Sequence, residues 1–158
     1  MTHRITHHIT HYPHLADLAA LAGHDIGSSD WLLIDQPRID LFAEATGDHQ
    51  WIHIDPARAA AGPFGAPIAH GFLTLSLLPL LFAGAFAIDD VRMGVNYGLN
   101  RVRFVSPVRV GSRVRGRFKL LSYGPLDGGA QLTVQATIEL EGAAKPACVA
   151  ETVSRRYL

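Results

Sequence analysis

The stretch that decides the fold is Gly71-Phe72-Leu73-Thr74-Leu75-Ser76-Leu77-Leu78-Pro79-Leu80-Leu81-Phe82-Ala83-Gly84-Ala85-Phe86-Ala87-Ile88, a run without a charged side chain. Its length approaches the roughly 20 apolar residues that can span a bilayer. Polar, proline and glycine positions interrupt it, however, and no Lys or Arg cluster flanks it. We therefore predict no membrane span and a buried core helix over residues 71–87, kinked or split at Pro79.

A helix that is apolar nearly all round must be wrapped by other elements. The residues that follow alternate in polarity, as in Arg113-Val114-Arg115, which is typical of an antiparallel sheet with one wet face. The predicted strands are residues 95–104, 113–122, 131–140 and 147–157, with a turn at Gly124-Pro125 and Asp127-Gly128-Gly129. The sequence thus predicts an α+β fold in which a curled antiparallel sheet wraps one long central helix.

The segment before the central helix contains two helix starts marked by proline. Pro37 begins a predicted helix over residues 37–46 that Gly47 ends, and Asp55 before Pro56 caps a second, short helix. Further upstream the pattern predicts a short helix over residues 15–21, a connection over 23–29 and a strand over 31–34. Residues 48–54 therefore lie between two helices, where we expect a non-helical turn.

Composition fits one compact domain and a small ligand. The chain has 158 residues, 48% hydrophobic and 18% charged, and its 14 Lys+Arg balance 14 Asp+Glu, which gives no electrostatic case for a nucleic-acid or membrane partner. Residues 1–14 are polar and rich in histidine, so we predict a loosely ordered leader there and the domain over residues 15–158. His3, His7 and His11 would share a helix face, but a polar leader lacks the support that a metal site needs. The single cysteine, Cys148, favours the reducing cytoplasm.

Asp48 and His53 are the candidate catalytic pair. On a helix, five positions would turn their side chains about 140° apart, whereas a non-helical turn lets both point into one pocket. A carboxylate and an imidazole in one pocket can serve as an acid/base pair. The alternative is that Asp48 caps a turn and His53 packs in the core, which is the usual interpretation of an isolated pair.

Four segments carry a family pattern. They are Thr46-Gly47-Asp48-x-x-x-Ile52-His53, Ile68-Ala69-His70-Gly71, Tyr97-Gly98-Leu99-Asn100-Arg101-Val102-Arg103-Phe104 and Pro107-Val108-x-Val110-Gly111. Together they resemble the MaoC-like (R)-specific enoyl-CoA hydratases over most of the chain from Trp31 onward. Gln50 and Trp51 stand where that family more usually has Asn-Pro, as in a subgroup related to nodulation protein N.

The resemblance implies a hot-dog fold, a homodimer and the reversible hydration of a trans-2-enoyl-CoA to the (3R)-hydroxyacyl-CoA, without metal or cofactor. It implies that Asp48 and His53 hold the attacking water and that the Gly71 N–H binds the thioester oxygen. Gln50 is a candidate for orienting the water. His70 either contacts the substrate or acts as a polar plug around the helix start.

Two other functions remain open at this stage. A hot-dog acyl-CoA thioesterase would share the fold, but such enzymes typically present a carboxylate from the long helix, and residues 71–87 contain none. A non-catalytic hot-dog subunit could pair with another dehydratase chain, although the presence of both Asp48 and His53 argues against it.

Overall fold

The computed structural model describes residues 8–158, which form a curled sheet around a central helical segment. The strands are β1 (Thr10–Tyr12), β2 (Asp25–Ser28), β3 (Leu32–Leu33), β4 (Phe86–Ile88), β5 (Met93–Phe104), β6 (Arg113–Leu126), β7 (Gly129–Leu140) and β8 (Cys148–Tyr157). The helices are a 3-10 helix (Leu15–Leu21), α1 (Gln36–Thr46), α2 (Trp51–Ile54), α3 (Pro56–Ala60), α4 (Gly71–Ser76) and α5 (Leu78–Ala85). This combination confirms the α+β class.

The main sheet has six strands and is antiparallel throughout. Its order is β2-β6-β7-β8-β5, with β3 also paired to β6, and the sheet does not close into a barrel. Alternate residues of β6 and β7, such as Val114, Phe118 and Val134, are buried. The predicted alternation is therefore confirmed, and its apolar side forms the surface on which the central helix packs.

The central helix consists of α4 and α5, which are separated at Leu77. Pro79 lies in the first turn of α5, so the predicted split is confirmed. Leu73 and Leu81 are buried against the sheet, and the Phe82 ring stacks on Phe118 with centroids 4.2 Å apart. Within the described residues, no helix is long and apolar enough to cross a membrane.

The predicted end of the central helix at Ala87 is wrong. α5 ends at Ala85 because the next residues form β4, which pairs in parallel with β1 in the register Thr10↔Phe86 to Tyr12↔Ile88. Thr10–Tyr12 belong to the leader that the sequence predicts to be loosely ordered, so strand structure begins before the predicted boundary at Leu15. Of the three leader histidines, His3 and His7 lie outside the described residues.

Two local expectations also need correction. The predicted connection over residues 23–29 contains β2, which pairs with β6. The predicted turn after residue 122 is shorter, since β6 continues to Leu126 and pairs there with Gly129. Gly124 and Pro125 therefore lie within a strand, because cross-strand pairing outweighs the local preference of this dipeptide for a turn.

Candidate active site

The ends of two helices place Asp48 beside His53. Gly47 closes α1 with a left-handed backbone, φ 78°, and its N–H donates to the Ala43 carbonyl at 2.8 Å. The chain then leaves the helical path, so Asp48 lies in a short non-helical link before α2. The non-helical turn expected over residues 48–54 is therefore only partly correct, because His53 belongs to the short helix α2.

His53 is a buried imidazole with one ring nitrogen occupied. The side chain is 6% exposed, and Nδ1 lies 2.6 Å from the Ile68 carbonyl oxygen. A carbonyl oxygen only accepts hydrogen bonds, so Nδ1 carries the proton that it donates. In the neutral ring, Nε2 is then an unprotonated acceptor. The Ile68 carbonyl thus leaves His53 with the tautomer that a general base requires.

Backbone contacts keep His53 and Ile68 in this relation. The Ile68 N–H donates to the Ile52 carbonyl at 3.0 Å, which ties the loop to α2. The Gln36 side-chain amide donates to the His53 carbonyl at 2.8 Å. The sequence alone does not identify Gln36 or the Ile68 carbonyl as part of the site. A backbone carbonyl is present in every residue, so the sequence does not mark it, and the position of Gln36 before Pro37 indicates only the start of a helix.

His70 is hydrogen-bonded to the backbone of Asp48, the other member of the pair. It is 2% exposed, and its Nε2–H donates to the backbone carbonyl of Asp48 at 2.9 Å. Its ring stacks on His53, with centroids 3.8 Å apart and an interplanar angle of 24°, and Phe42 packs against it at 4.9 Å. These contacts support a role for His70 in positioning Asp48 and His53, although its Nδ1 is buried without a hydrogen-bond partner among residues 8–158.

The three side chains converge closely enough to be considered as metal ligands. One nitrogen or oxygen atom from each of Asp48, His53 and His70 lies within 4.8 Å of the others. His70 is therefore a third potential ligand beside the pair. The stacked histidine rings nevertheless direct their in-plane lone pairs along nearly parallel planes, whereas tetrahedral zinc needs them to converge on one point. The geometry suits an acid/base pair better than a metal centre.

The environment of His53 favours its neutral form. Burial lowers the pKa of His53, the neighbouring His70 lowers it further, and the Ile68 carbonyl and the Asp48 carboxylate act in the opposite direction. Desolvation is the largest of these effects. Asp48 is exposed and His53 is buried. A water held between them would therefore contact a solvated carboxylate on one side and a desolvated imidazole on the other.

The other predicted site residues lie around this pair. Gly71 begins α4, where its N–H has no partner within the helix, and a Cβ at this position would lie 3.1 Å from the Phe104 ring. Gln50 is exposed, and its backbone N–H donates to the Asp48 carboxylate at 3.3 Å. Within residues 8–158 its side chain makes no hydrogen bond, so the structure adds no support for a role in orienting water.

Cys148 is not placed to act as a competing nucleophile. It is a fully buried free thiol on β8, and burial raises its pKa to about 11. The thiolate is the reactive form, so this thiol is inert near neutral pH.

The lowered pKa of His53 predicts a loss of stability in acid. The unfolded chain binds a proton on this histidine near pH 6.5, whereas the folded chain resists protonation. The free energy of unfolding should therefore fall as the pH drops below about 6.5 and level off below the folded-state pKa. Denaturant titration over a pH series measures this slope. His53→Gln should remove it and the exposed control His24→Gln should retain it; equal slopes in both variants would contradict the assignment.

Comparison with known proteins identifies the family. The chain is 58% identical over 142 residues to 3-hydroxyacyl-thioester dehydratase Z of Mycobacterium tuberculosis, covering 89% of this chain and 94% of that protein. It is 51% identical over 144 residues to nodulation protein N of Rhizobium leguminosarum bv. viciae, covering 89% of each. The (R)-hydratase from A. caviae involved in PHA biosynthesis superposes with a TM-score of 0.67 at 25% identity, covering 84% of this chain and 94% of that one. The family model for the MaoC like domain matches residues 17–142. The chain therefore belongs to the MaoC-like dehydratase family and has its hot-dog fold.

Proposed function

We propose that the protein catalyses the reversible addition of water to a trans-2-enoyl-CoA, giving the (3R)-hydroxyacyl-CoA. The observation that carries the proposal is the His53 tautomer: Nδ1 is bound to the Ile68 carbonyl, so Nε2 is free to accept a proton beside the Asp48 carboxylate. Hydro-lyase activity of this kind agrees with the 3-hydroxyacyl-thioester dehydratase and the (R)-hydratase that the chain resembles.

The proposed reaction needs one base, one water-holding group and one oxyanion donor. The water oxygen bonds to C3 of the enoyl thioester while His53 Nε2 takes one of its protons and Asp48 accepts a hydrogen bond from the other. The π electrons move to the thioester oxygen, where the Gly71 N–H stabilises the negative charge. C2 then takes the proton from His53, so the enolate collapses to the hydroxyacyl thioester and the pair returns to its initial state. Dehydration follows the same steps in reverse.

This chemistry requires no redox cofactor, since the substrate is neither oxidised nor reduced, and the base, the carboxylate and the oxyanion donor would supply its steps without a metal. Gly71 suits the oxyanion role because its missing side chain leaves room beside Phe104. A cavity of about 260 Å³ lies at this position, lined among others by Thr74 and Phe104. The thioester would therefore approach along the surface between α4 and the end of β5.

The two alternative functions are less well supported. A thioesterase would need a carboxylate from the central helix, and neither α4 nor α5 carries one. A non-catalytic subunit would not need a free base nitrogen on His53 beside Asp48. Cytoplasmic location remains part of the proposal, supported by the free buried thiol of Cys148.

The catalytic pair is tested by Asp48→Asn, His53→Gln and the double variant. Each single change should lower kcat for hydration by roughly 10²–10⁴-fold, because each removes a group that acts in the proton-transfer step. The double variant should be little worse than either single variant, since both residues serve one step. Loss of the conjugated thioester absorbance measures the rate, and a stereospecific dehydrogenase identifies the (3R) product.

Melting temperatures of the same variants separate catalysis from structure. Glu44→Gln is a matched control, because Glu44 is an exposed carboxylate on α1 close to the site. It should leave both the rate and the melting temperature near wild type. Stable Asp48 and His53 variants with near-normal turnover would overturn the catalytic assignment.

We propose further that the protein is a homodimer formed through β5. This strand has 12 residues, lies at the edge of the sheet and is almost entirely exposed. Its exposed side chains include Val95, Tyr97 and Leu99, and Phe72 on α4 is 69% exposed beside it. A long apolar edge strand left in water favours pairing with another strand, and a second copy supplies an identical edge. Phe104 at the end of β5 lies against Gly71, so this interface would adjoin the active site.

Leu99→Lys tests this assembly, because a charge in the middle of β5 would be desolvated at the interface. We expect a dimer for wild type in sedimentation equilibrium and a monomer for Leu99→Lys. Leu41→Lys is the control, since Leu41 is an exposed leucine on α1, even more exposed than Leu99, and this variant should remain dimeric. A wild-type monomer, including one that associates only with a different chain, would contradict the homodimer.

A further inference from the structure

A groove runs along one face of the central helix. Gly71, Leu75, Pro79 and Phe82 are spaced by four, four and three positions, so they share this face. β5 forms the opposite wall and runs antiparallel to the helix: Phe104 lies against Gly71 at one end. The groove therefore starts beside the residue proposed to bind the thioester oxygen and leads away along the helix.

Two adjoining cavities occupy this groove from Leu75 onward. Their volumes are about 380 and 390 Å³, and Pro79, Phe82 and Asn96 line both of them. The first cavity lies next to Leu75, and the second extends to Phe86. The surface of the first cavity is mainly apolar and that of the second is more polar, and Pro79 lies eight positions beyond Gly71, which is about 12 Å along a helix. The groove has the shape and polarity to accommodate an acyl chain.

The far end of the groove contains one charged residue, Arg156. It lies on β8 opposite Gly94 of β5, and a Cβ at Gly94 would collide with the Arg156 guanidinium. The glycine therefore lets the arginine side chain pass over β5 to line the second cavity. Gly94 and Arg156 form one structural unit at this end.

The Arg156 guanidinium has no anionic partner among residues 8–158. Its Nε is buried without a hydrogen bond, and no described carboxylate forms an ion pair with it. Burial lowers the pKa of Arg156 below its usual value. By contrast, the neighbouring Arg155 lies on the other side of the strand, bonded to Gln131 and stacked over Tyr97. A partly buried, unpaired charge is unfavourable, so this position is suited to an external anion.

The surroundings select the kind of anion. A single guanidinium offers two parallel N–H donors, from Nε and a terminal nitrogen, which match the two oxygens of a carboxylate. A phosphate group carries more charge and would leave part of it unpaired in a cavity whose described lining supplies one arginine and the Asn96 amide. An apolar chain with a terminal carboxylate fits the groove, because the chain would pack against the apolar side chains and the carboxylate would pair with Arg156.

We propose that Arg156 binds the terminal carboxylate of an acyl chain that lies in the groove, so that the protein accepts ω-carboxyacyl thioesters. This inference rests on the proposed function and adds a substrate class to it. The chain would extend from the thioester at Gly71, along Leu75 and Pro79, to Arg156. Arg156 is then a specificity-determining residue that acts only on substrates long enough to reach it.

Hydration kinetics with paired substrates test the proposal. Enoyl-CoAs of graded length with a terminal carboxylate are compared with methyl-terminated ones of the same length. The ratio of kcat/KM, carboxylate over methyl, should rise at the length that reaches Arg156. Arg156→Gln should lower that ratio by at least about tenfold, and Arg156→Lys should restore part of it. Arg92→Gln, an exposed arginine near the end of β8, should leave the ratio unchanged.

A binding measurement separates this inference from the proposed function. Calorimetric titration of the dimer with decanoate and with decanol needs no turnover, and decanoate should bind more tightly in a way that depends on Arg156. Arg156-dependent binding without hydration would support the carboxylate site and contradict the hydratase. Hydration of both substrate series with a ratio unaffected by Arg156→Gln would overturn the carboxylate site. The carboxylate site would also be overturned if wild type bound no decanoate and Arg156→Gln weakened the dimer. In that case the anionic partner of Arg156 would be a carboxylate of the second copy.

Discussion

The hydrogen bond from His53 Nδ1 to the Ile68 carbonyl is the constraint on which the account of the site depends. At 2.6 Å it leaves Nε2 of the neutral ring as the free acceptor. His70 adds the second constraint, because it stacks on His53 and holds the backbone of Asp48. In the proposed mechanism the two histidines therefore differ in role: His53 would act as the base, and His70 would hold it near the carboxylate.

The fold provides these constraints through elements that meet at the start of the central helix. Gly47 ends α1 so that Asp48 leaves the helical path, and Ile68 comes from the loop that leads into α4. The helix face that begins at Gly71 continues as the wall of the two cavities, which run from Leu75 to Arg156. The reacting group and the distal end of the acyl chain would therefore be positioned by one helix and one edge strand.

Much of this arrangement could be predicted from local patterns. The uncharged run from Gly71 and the alternation in β6 and β7 correctly indicate a helix packed on an antiparallel sheet. The spacing of Asp48 and His53 between two helices also indicates that their side chains meet, and a ligand atom of each does lie within 4.8 Å of the other, although His53 lies on a short helix instead of a turn.

Features that depend on long-range contacts could not be predicted. The end of α5 at Ala85 follows from the pairing of β4 with β1, whose residues are far away in the chain. The role of His70 becomes visible only once its ring is found on His53. In the sequence, Arg156 looks like the other arginines on the predicted strands. It differs from them only in the structure, where its side chain lies over Gly94. In each case the decisive partner is distant in sequence, so local propensity carries no signal for it.

The protonation state of the His53 ring is the most direct test of the central claim. Nitrogen NMR of protein labelled at histidine, assigned with the His53→Gln variant, distinguishes a protonated ring nitrogen from an unprotonated one. We expect a neutral ring near pH 7 with the proton on Nδ1 and an unprotonated Nε2. A proton on Nε2, or a charged ring at that pH, would contradict the assignment of His53 as the base.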